Sequence, residues 1–308
     1  MARGQPIVTR FAPSPNGRLH LGHAYSALFA ARFAARRGGR FLLRIEDIDH
    51  TRAREQFVRA IHDDLRWLGV RWEEPVWRQR ERMAHYHAAL TRLKEMGLLY
   101  PCFCTRRRMR AVIAGRPDWP RDPAGAPLYP GTCRHLPAAE REERLAAGDE
   151  HAWRLDMSEA LRTAARLLHG KPVSWREEGV GPQGETGLVV ADPAAFGDVV
   201  LGRKDIGVSY HVAVVIDDAA QGVSHVTRGH DLFAASAVHR LLQVLLGLPE
   251  PAYAHHRLIT DAAGRKLAKR RASTALAELR AQGVTPEDVR RALALENAMP
   301  DDPQAQGP

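Results

Sequence analysis

Lysine is scarce in this 308-residue chain: five of its 45 basic side chains, namely Lys94, Lys171, Lys204, Lys266 and Lys269. Lys266 and Lys269 therefore stand out as a close pair. Cysteine is rarer still. Three residues are too few, and odd in number, for a disulfide scaffold, and all three lie between Cys102 and Cys133. Long apolar runs are absent. The best candidate, Ala24 to Ala35, is broken by Arg32, which excludes a membrane-spanning helix. The first six residues, Met1 to Pro6, lack the apolar core of a signal peptide. The cytoplasm is the expected location, with no membrane partner. No internal repeat is present.

What remains is a soluble globular composition, 44% hydrophobic and 26% charged, of about two domains' length. Long disorder, collagen and coiled coil are excluded as the main architecture. The net charge of +9 suits a polyanionic partner such as nucleic acid. It equally suits a chain with a general arginine bias. Arg106-Arg107-Arg108 and Arg141 to Arg144 stand in the same balance, as phosphate contacts or solvated helix faces. Trp67, Trp72 and Trp77 read as packing residues.

The first half alternates strand and helix. Ile7 to Phe11 is β-prone, Gly22 to Arg37 is Ala-rich and helical with Gly38-Gly39 ending it, and Phe41 to Ile45 is the next strand. This βαβ unit implies a parallel sheet. Thr51 is expected to cap a helix carrying Phe57, Ile61, Leu65 and Leu68 on one face, and another helix is expected from Arg80 to Met96. Past Tyr100 the chain changes character. Cysteines and prolines crowd residues 101 to 135, followed by short strands, such as His151 to Asp156, and short helices. Val212 to Ile216 reads as a buried strand ending in Asp217-Asp218, and Asp231 as the cap of a helix through Leu246. A basic loop and two short helices follow Thr260, then a frayed tail from Asp301.

Three groups of residues carry chemistry. Pro13-Ser14-Pro15-Asn16-Gly17-Arg18-Leu19-His20-Leu21-Gly22-His23 lies between a strand and a helix, where backbone amides favour anions. Gly22 would let a nucleotide approach the backbone. His20 and His23, three apart, share a helix face and can donate to phosphate oxygens as charge builds on them. The second group is Gly264-Arg265-Lys266-Leu267-Ala268-Lys269-Arg270, a loop of point cations suited to gripping a triphosphate and releasing pyrophosphate. The third is Cys102-Phe103-Cys104 with Tyr129-Pro130-Gly131-Thr132-Cys133. Three thiols at one place in a cytoplasmic protein suggest structural zinc, which requires a fourth ligand. His135 is the commoner ligand type and Tyr129 the alternative. Three buried thiols without metal remain a further reading.

The first two groups together resemble the HIGH and KMSKS signatures of class I aminoacyl-tRNA synthetases. His20-Leu21-Gly22-His23 matches the first, and Lys266-Leu267-Ala268-Lys269-Arg270 the second, with Ala and Arg replacing two serines. Arg10-Phe11-Ala12-Pro13-Ser14-Pro15, Arg44-Ile45-Glu46-Asp47-Ile48-Asp49, Tyr210 and Val226-Thr227-Arg228-Gly229 resemble segments of the glutamyl branch. The resemblance spans roughly residues 7 to 275. Only 38 residues follow Arg270, too few for an anticodon-binding domain, and the chain is similar to the truncated relatives, the glutamyl-queuosine tRNA(Asp) synthetases. It implies an α/β fold, a class I Rossmann-type catalytic domain with an inserted acceptor-domain-like α+β domain. The expected divisions are 1–100 and 191–260 for the catalytic halves, 101–190 for the insertion, and 261–308 for the lysine loop and helical remnant.

The resemblance further implies ATP, with Mg²⁺ bridging its phosphates, L-glutamate, and tRNA(Asp) carrying queuosine. His20, His23, Lys266 and Lys269 are its catalytic residues, with Gly22 beside the ATP. Arg10, Ser14, Glu46, Tyr210 and Arg228 are its glutamate ligands, with Arg228 on the side-chain carboxylate and Glu46 on the ammonium. Cys102, Cys104, Tyr129 and Cys133 are its zinc ligands, which favours Tyr129 over His135.

Overall fold

The computed structural model describes residues 6–259 and 274–294. β1 (Val8–Phe11) leads through a loop into α1 (Leu21–Arg36) and back to β2 (Arg40–Ile45). The two strands run parallel, Val8 opposite Arg40 and Phe11 opposite Leu43, as the sequence predicts. Glycine makes the return possible. Gly38 sits at φ 60°, and a Cβ on Gly39 would lie 2.4 Å from the Ile7 carbonyl oxygen.

α2 (Glu55–Trp67) begins after Arg54, not at Thr51. The Thr51 hydroxyl instead donates to the Asp49 carboxylate at 2.6 Å, within its own turn. β3 (Glu73–Arg78) completes a parallel three-stranded sheet ordered β1-β2-β3. A 3-10 turn at Gln79–Arg82 precedes α3 (Met83–Glu95), so that helix starts later than Arg80.

The middle of the chain contributes β4 (Leu99–Cys102), α4 (Arg106–Ile113), α5 (Ala138–Ala146), β5 (Ala152–Leu155), α6 (Met157–Leu167), β6 (Ser174–Glu177), β7 (Gly187–Val190) and β8 (Val200–Gly202). β4, β5 and β8 form an antiparallel sheet. The remaining elements are α7 (Tyr210–Ala220), β9 (His225–Gly229), α8 (Ala235–Leu246), β10 (Ala252–His256), α9 (Leu276–Ala281) and α10 (Pro286–Leu293). β6 and β7, from within 101–190, join β10 and β9 in a sheet ordered β7-β6-β10-β9.

The strand expected at Val212 to Ile216 is the middle of helix α7. Its β-branched residues favour strands, but Val212, Ala213, Val214 and Val215 are all buried. A run buried on every side has no amphipathic signal to separate helix from strand. Asp231 likewise does not cap α8. It lies in a 3-10 turn, and the helix starts after Ala234.

The β1-β2-β3 sheet and the four-stranded sheet meet at β1 and β9. Ser224 donates its N–H to the Val8 carbonyl at 3.1 Å and accepts the Val8 N–H on its hydroxyl at 2.8 Å. Strands thus lie in the order β3-β2-β1-β9-β10-β6. Phe41, Leu43 and Ile45 pack with α1, α2, α9 and α10 on one face. Val8 and Leu42 pack with Phe233 and Ala237 on the other. α3, α6, α7 and α8 share a further apolar core through Leu90, Ala160, Val212 and Leu241. Successive connections from β1 and from β9 diverge across the sheet, so the crevice at their carboxyl ends is the expected ligand position for an open parallel sheet.

Candidate active site

The start of α1 is closed by two histidines. His20 is the N-cap, and its Nδ1 accepts the Gly22 N–H at 3.1 Å. His23 Nδ1 accepts the His20 N–H at 3.2 Å. With each Nδ1 accepting, each ring carries its proton on Nε2, the tautomer that donates. The rings are 3.8 Å apart. A Cβ on Gly22 would lie 3.0 Å from His20 Cε1, so glycine here first makes room for the His20 ring itself. Leu276 donates its N–H to the Leu19 carbonyl at 2.9 Å and Ala275 bridges His20. Lys266 and Lys269 lie outside the described residues.

At the end of β1, Arg10 makes a two-pronged contact with Asp218 of α7, at 2.9 and 3.2 Å, and donates to the Thr227 carbonyl of β9. Arg44 of β2 reaches the same Asp218 at 2.8 Å and Glu46 at 3.2 Å. Burial pushes the Asp218 carboxyl up, but Arg10 and Arg44 outweigh it and hold it below the usual carboxylate range. Glu46 goes the other way, because burial outweighs Arg44 and Arg10. Beside Asp218, Asp217 accepts from Tyr86 Oη at 2.7 Å and Arg82 Nε at 2.7 Å. Ser14, Glu46 and Tyr210 line one small cleft with Asp49, Arg52 and Arg203.

Arg228 of β9 differs from Arg10. It is 6% exposed, yet all its acceptors are neutral: His255 Nε2 at 3.3 Å, His239 Nδ1 at 2.9 Å and the Ser236 hydroxyl. Those bonds occupy three of a guanidinium's five N–H groups. Among the described residues no carboxylate pairs with it. A buried cation in this state lacks the counter-charge that a bound anion would supply. Two forked N–H groups suit a carboxylate. Tyr210 sits close by, its ring 5.5 Å from that of His239.

The sequence reading assigns no individual role to Arg44, Asp217, Asp218, His239 or His255. Asp217 and Asp218 were visible only as the end of an apolar run. A helical reading would have placed Tyr210, Asp217, Asp218 and Gln221 on adjoining positions of one face.

The three cysteines converge as expected. Cys102, Cys104 and Cys133 are buried with sulfurs within 4.8 Å of one another. The Tyr129 hydroxyl lies 3.3 Å from Cys102 Sγ and 3.6 Å from Cys104 Sγ, and Cys104 and Cys133 are 3.5 Å apart. A zinc tetrahedron with Zn–S of about 2.3 Å and Zn–O of about 2.0 Å has S···S edges of about 3.8 Å and S···O edges of about 3.5 Å. The donor set therefore fits a single zinc-sized ion. A hydrogen bond from Cys102 brings the Cys133 thiol down to about 6, and the same contact pushes Cys102 up to about 12. Burial pushes Tyr129 up as well. The Arg154 guanidinium lies over the Tyr129 ring, 3.7 Å from its centroid. His135 is exposed and outside this group.

Between this knot and α7 runs a cleft of about 1530 Å³, lined by Arg106, Arg110, Tyr129, Arg154, Tyr210 and His211 among others. Among the described residues no helix is long and apolar enough to cross a membrane.

Residues 6–304 match the family model described as tRNA synthetases class I (E and Q), catalytic domain. The chain is 48% identical over 291 residues to the Glutamyl-Q tRNA(Asp) synthetase of Rhodobacter capsulatus, covering 94% of this chain and 100% of that protein. It is 43% identical to the Glutamyl-Q tRNA(Asp) synthetase of Nocardia farcinica, covering 91% and 81%. A solved glutamate-tRNA synthetase of Elizabethkingia anophelis superposes with a TM-score of 0.70 at 28% identity, covering 86% of this chain. The chain spans about half of that longer protein, 53%. The matched span and the Rossmann-type sheet agree: this chain belongs to the class I tRNA synthetases of the E and Q type.

Proposed function

We propose that the protein activates L-glutamate with ATP, without needing tRNA, and transfers the glutamyl group to queuosine at the wobble position of tRNA(Asp). One observation carries the amino-acid assignment. Arg228 is a buried guanidinium with neutral acceptors and no carboxylate partner among the described residues. It stands at the crevice where Glu46 and Tyr210 also gather. A substrate carboxylate on Arg228 and an ammonium on Glu46 match the charges of glutamate. Arg10 and Ser14 complete the amino-acid side of the site.

The α-carboxylate of glutamate would attack the α-phosphorus of ATP in line, breaking the bond to the bridging oxygen and releasing pyrophosphate. His20 and His23 present Nε2–H donors to the oxygens on which charge develops, with Gly22 beside the nucleotide. Lys269 is six residues from Ala275, which bridges His20. Lys266 and Lys269 lie outside the described residues, and their assignment to the phosphate grip rests on the family resemblance. Mg²⁺ would arrive with ATP and offset phosphate charge. A ring hydroxyl of queuosine then attacks the glutamyl carbonyl and AMP leaves. The Cys102, Cys104, Tyr129 and Cys133 set is assigned to one structural zinc. The resemblance of 48% over a relative's whole length supports the queuosine acceptor.

The test uses tRNA(Asp) containing queuosine, radioactive glutamate and ATP. Label should persist after the 3′-terminal adenosine is removed. Label lost with that adenosine would assign the protein to ordinary 3′-end charging.

A further inference from the structure

The acceptors around Arg228 form an ordered relay. A guanidinium N–H can only donate, so His239 Nδ1, 2.9 Å from Arg228 Nη1, must be unprotonated. The His239 proton then sits on Nε2, which lies 3.0 Å from His211 Nδ1. His211 accepts there and carries its own proton on Nε2. That N–H has no hydrogen-bond partner among the described residues, and His211 lines the large cleft. On the other side, His255 donates from Nδ1 to the Glu177 carboxylate at 2.6 Å and accepts at Nε2 from Arg228. Each imidazole is held in one neutral tautomer. Burial and the Arg228 charge both oppose protonation of His239.

Neutral acceptors aim a guanidinium without cancelling its charge. An acidic acceptor in the same place would aim it equally well and also supply the counter-charge. We propose that His239, held by His211, is a positioning residue that keeps Arg228 aimed but uncompensated, and thereby makes the site select a carboxylate over the isosteric carboxamide. This rests on the glutamate-activation reading and adds the basis of its discrimination against glutamine. A carboxamide would leave Arg228 buried without an anion, the kind of mismatch that costs much more than a lost contact.

The experiment measures ATP–pyrophosphate exchange with glutamate or glutamine as the sole amino acid, for the full chain and for His239→Gln, His239→Leu and His239→Glu, with thermal melting of each. His239→Gln keeps a neutral acceptor and a donor and should stay within about threefold of wild type. His239→Leu leaves an Arg228 N–H unpaired, and should raise KM for glutamate roughly tenfold to a hundredfold while kcat falls less. His239→Glu restores the acceptor but adds charge, and should reduce the glutamate-to-glutamine ratio of kcat/KM at least tenfold. An unchanged ratio in a folded His239→Glu protein overturns the inference, as does an unchanged KM in His239→Leu. Equal losses of kcat in all three variants, with the ratio preserved, would also overturn it in favour of a packing role. If the variants do not fold, His211→Ala removes the outer link, and an unaltered glutamate KM there overturns it too. Wild-type protein with no glutamate-dependent exchange would refute the activation reading itself, a separable result.

Discussion

Arg10 and Arg228 stand at the ends of adjacent strands in one crevice, yet they behave differently. Arg10 is compensated by Asp218 in a buried two-pronged pair. Among the described residues Arg228 has neutral partners only. Removing one partner of a buried pair strands the other, at about 3 kcal/mol or more. Arg44 still pairs with Asp218, so Arg10→Ala should cost about 2 kcal/mol by urea unfolding. Arg228→Leu should cost little stability, because it removes an uncompensated buried charge, but should raise KM for glutamate at least a hundredfold in exchange assays. A large stability loss in the second and none in the first would contradict this division. Without folding, both arginines read as members of family-like motifs. Their difference depends on Asp218, which lies over two hundred residues from Arg10 in sequence.

At the scale of elements, α7 and α4 carry the main lessons. The run of Val and Ile at 212–216 predicts a strand, because burial of Val212 to Val215 hides the helical period of α7. Its helical form places Tyr210 at the crevice and turns Asp217 and Asp218 inward together. α4 is the opposite case, a polar helix capped by the Thr105 hydroxyl on the Arg108 N–H, with no buried residue of its own. Its Arg106 and Arg110 line the cleft that opens toward α7. Basic side chains along such a wall suit an RNA backbone. The double variant Arg106→Glu with Arg110→Glu should lower glutamate transfer to tRNA about tenfold or more and flatten its salt dependence. Exchange without tRNA should be unchanged. An equal loss in both assays would place these arginines in folding instead.

Two properties belong to the whole molecule. The cysteine cluster packs the loop containing Tyr129 and Cys133 against the end of β4. Purified without chelators, the protein should hold about one zinc per chain. Tyr129→Phe should weaken retention against a chelator, Cys133→Ser should abolish it, and His135→Ala should leave it unchanged. The second property is acid sensitivity. Burial holds His211, His255 and His256 at about 4 and His239 well below its ordinary value. The folded state thus resists protons that the unfolded chain binds below about 6.5. The stability is fully present above that value and is lost as pH falls from there toward about 4. Each group contributes a loss of about 1.4 kcal/mol per pH unit in that window. Urea midpoints measured from pH 7.5 to 5 should fall steeply, and His256→Leu should make the fall shallower. Parallel curves would remove His256 from this account.

The sequence by itself determined the local features: the βαβ opening, the glycine turn after α1, the histidines at the helix start and the spacing of the thiols. Those depend on backbone conformation and on residues a few positions apart. The family resemblance marked Arg10, Glu46, Tyr210 and Arg228, and it preferred Tyr129 to His135. Tertiary structure decided what each of them faces. It made α7 a helix, drew β6 and β7 into the sheet with β10, paired Arg10 with Asp218 and, among the described residues, gave Arg228 three neutral acceptors. The reason is physical. Charge compensation and burial are properties of a side chain's whole surroundings, and in this fold those surroundings come from segments far apart in the chain.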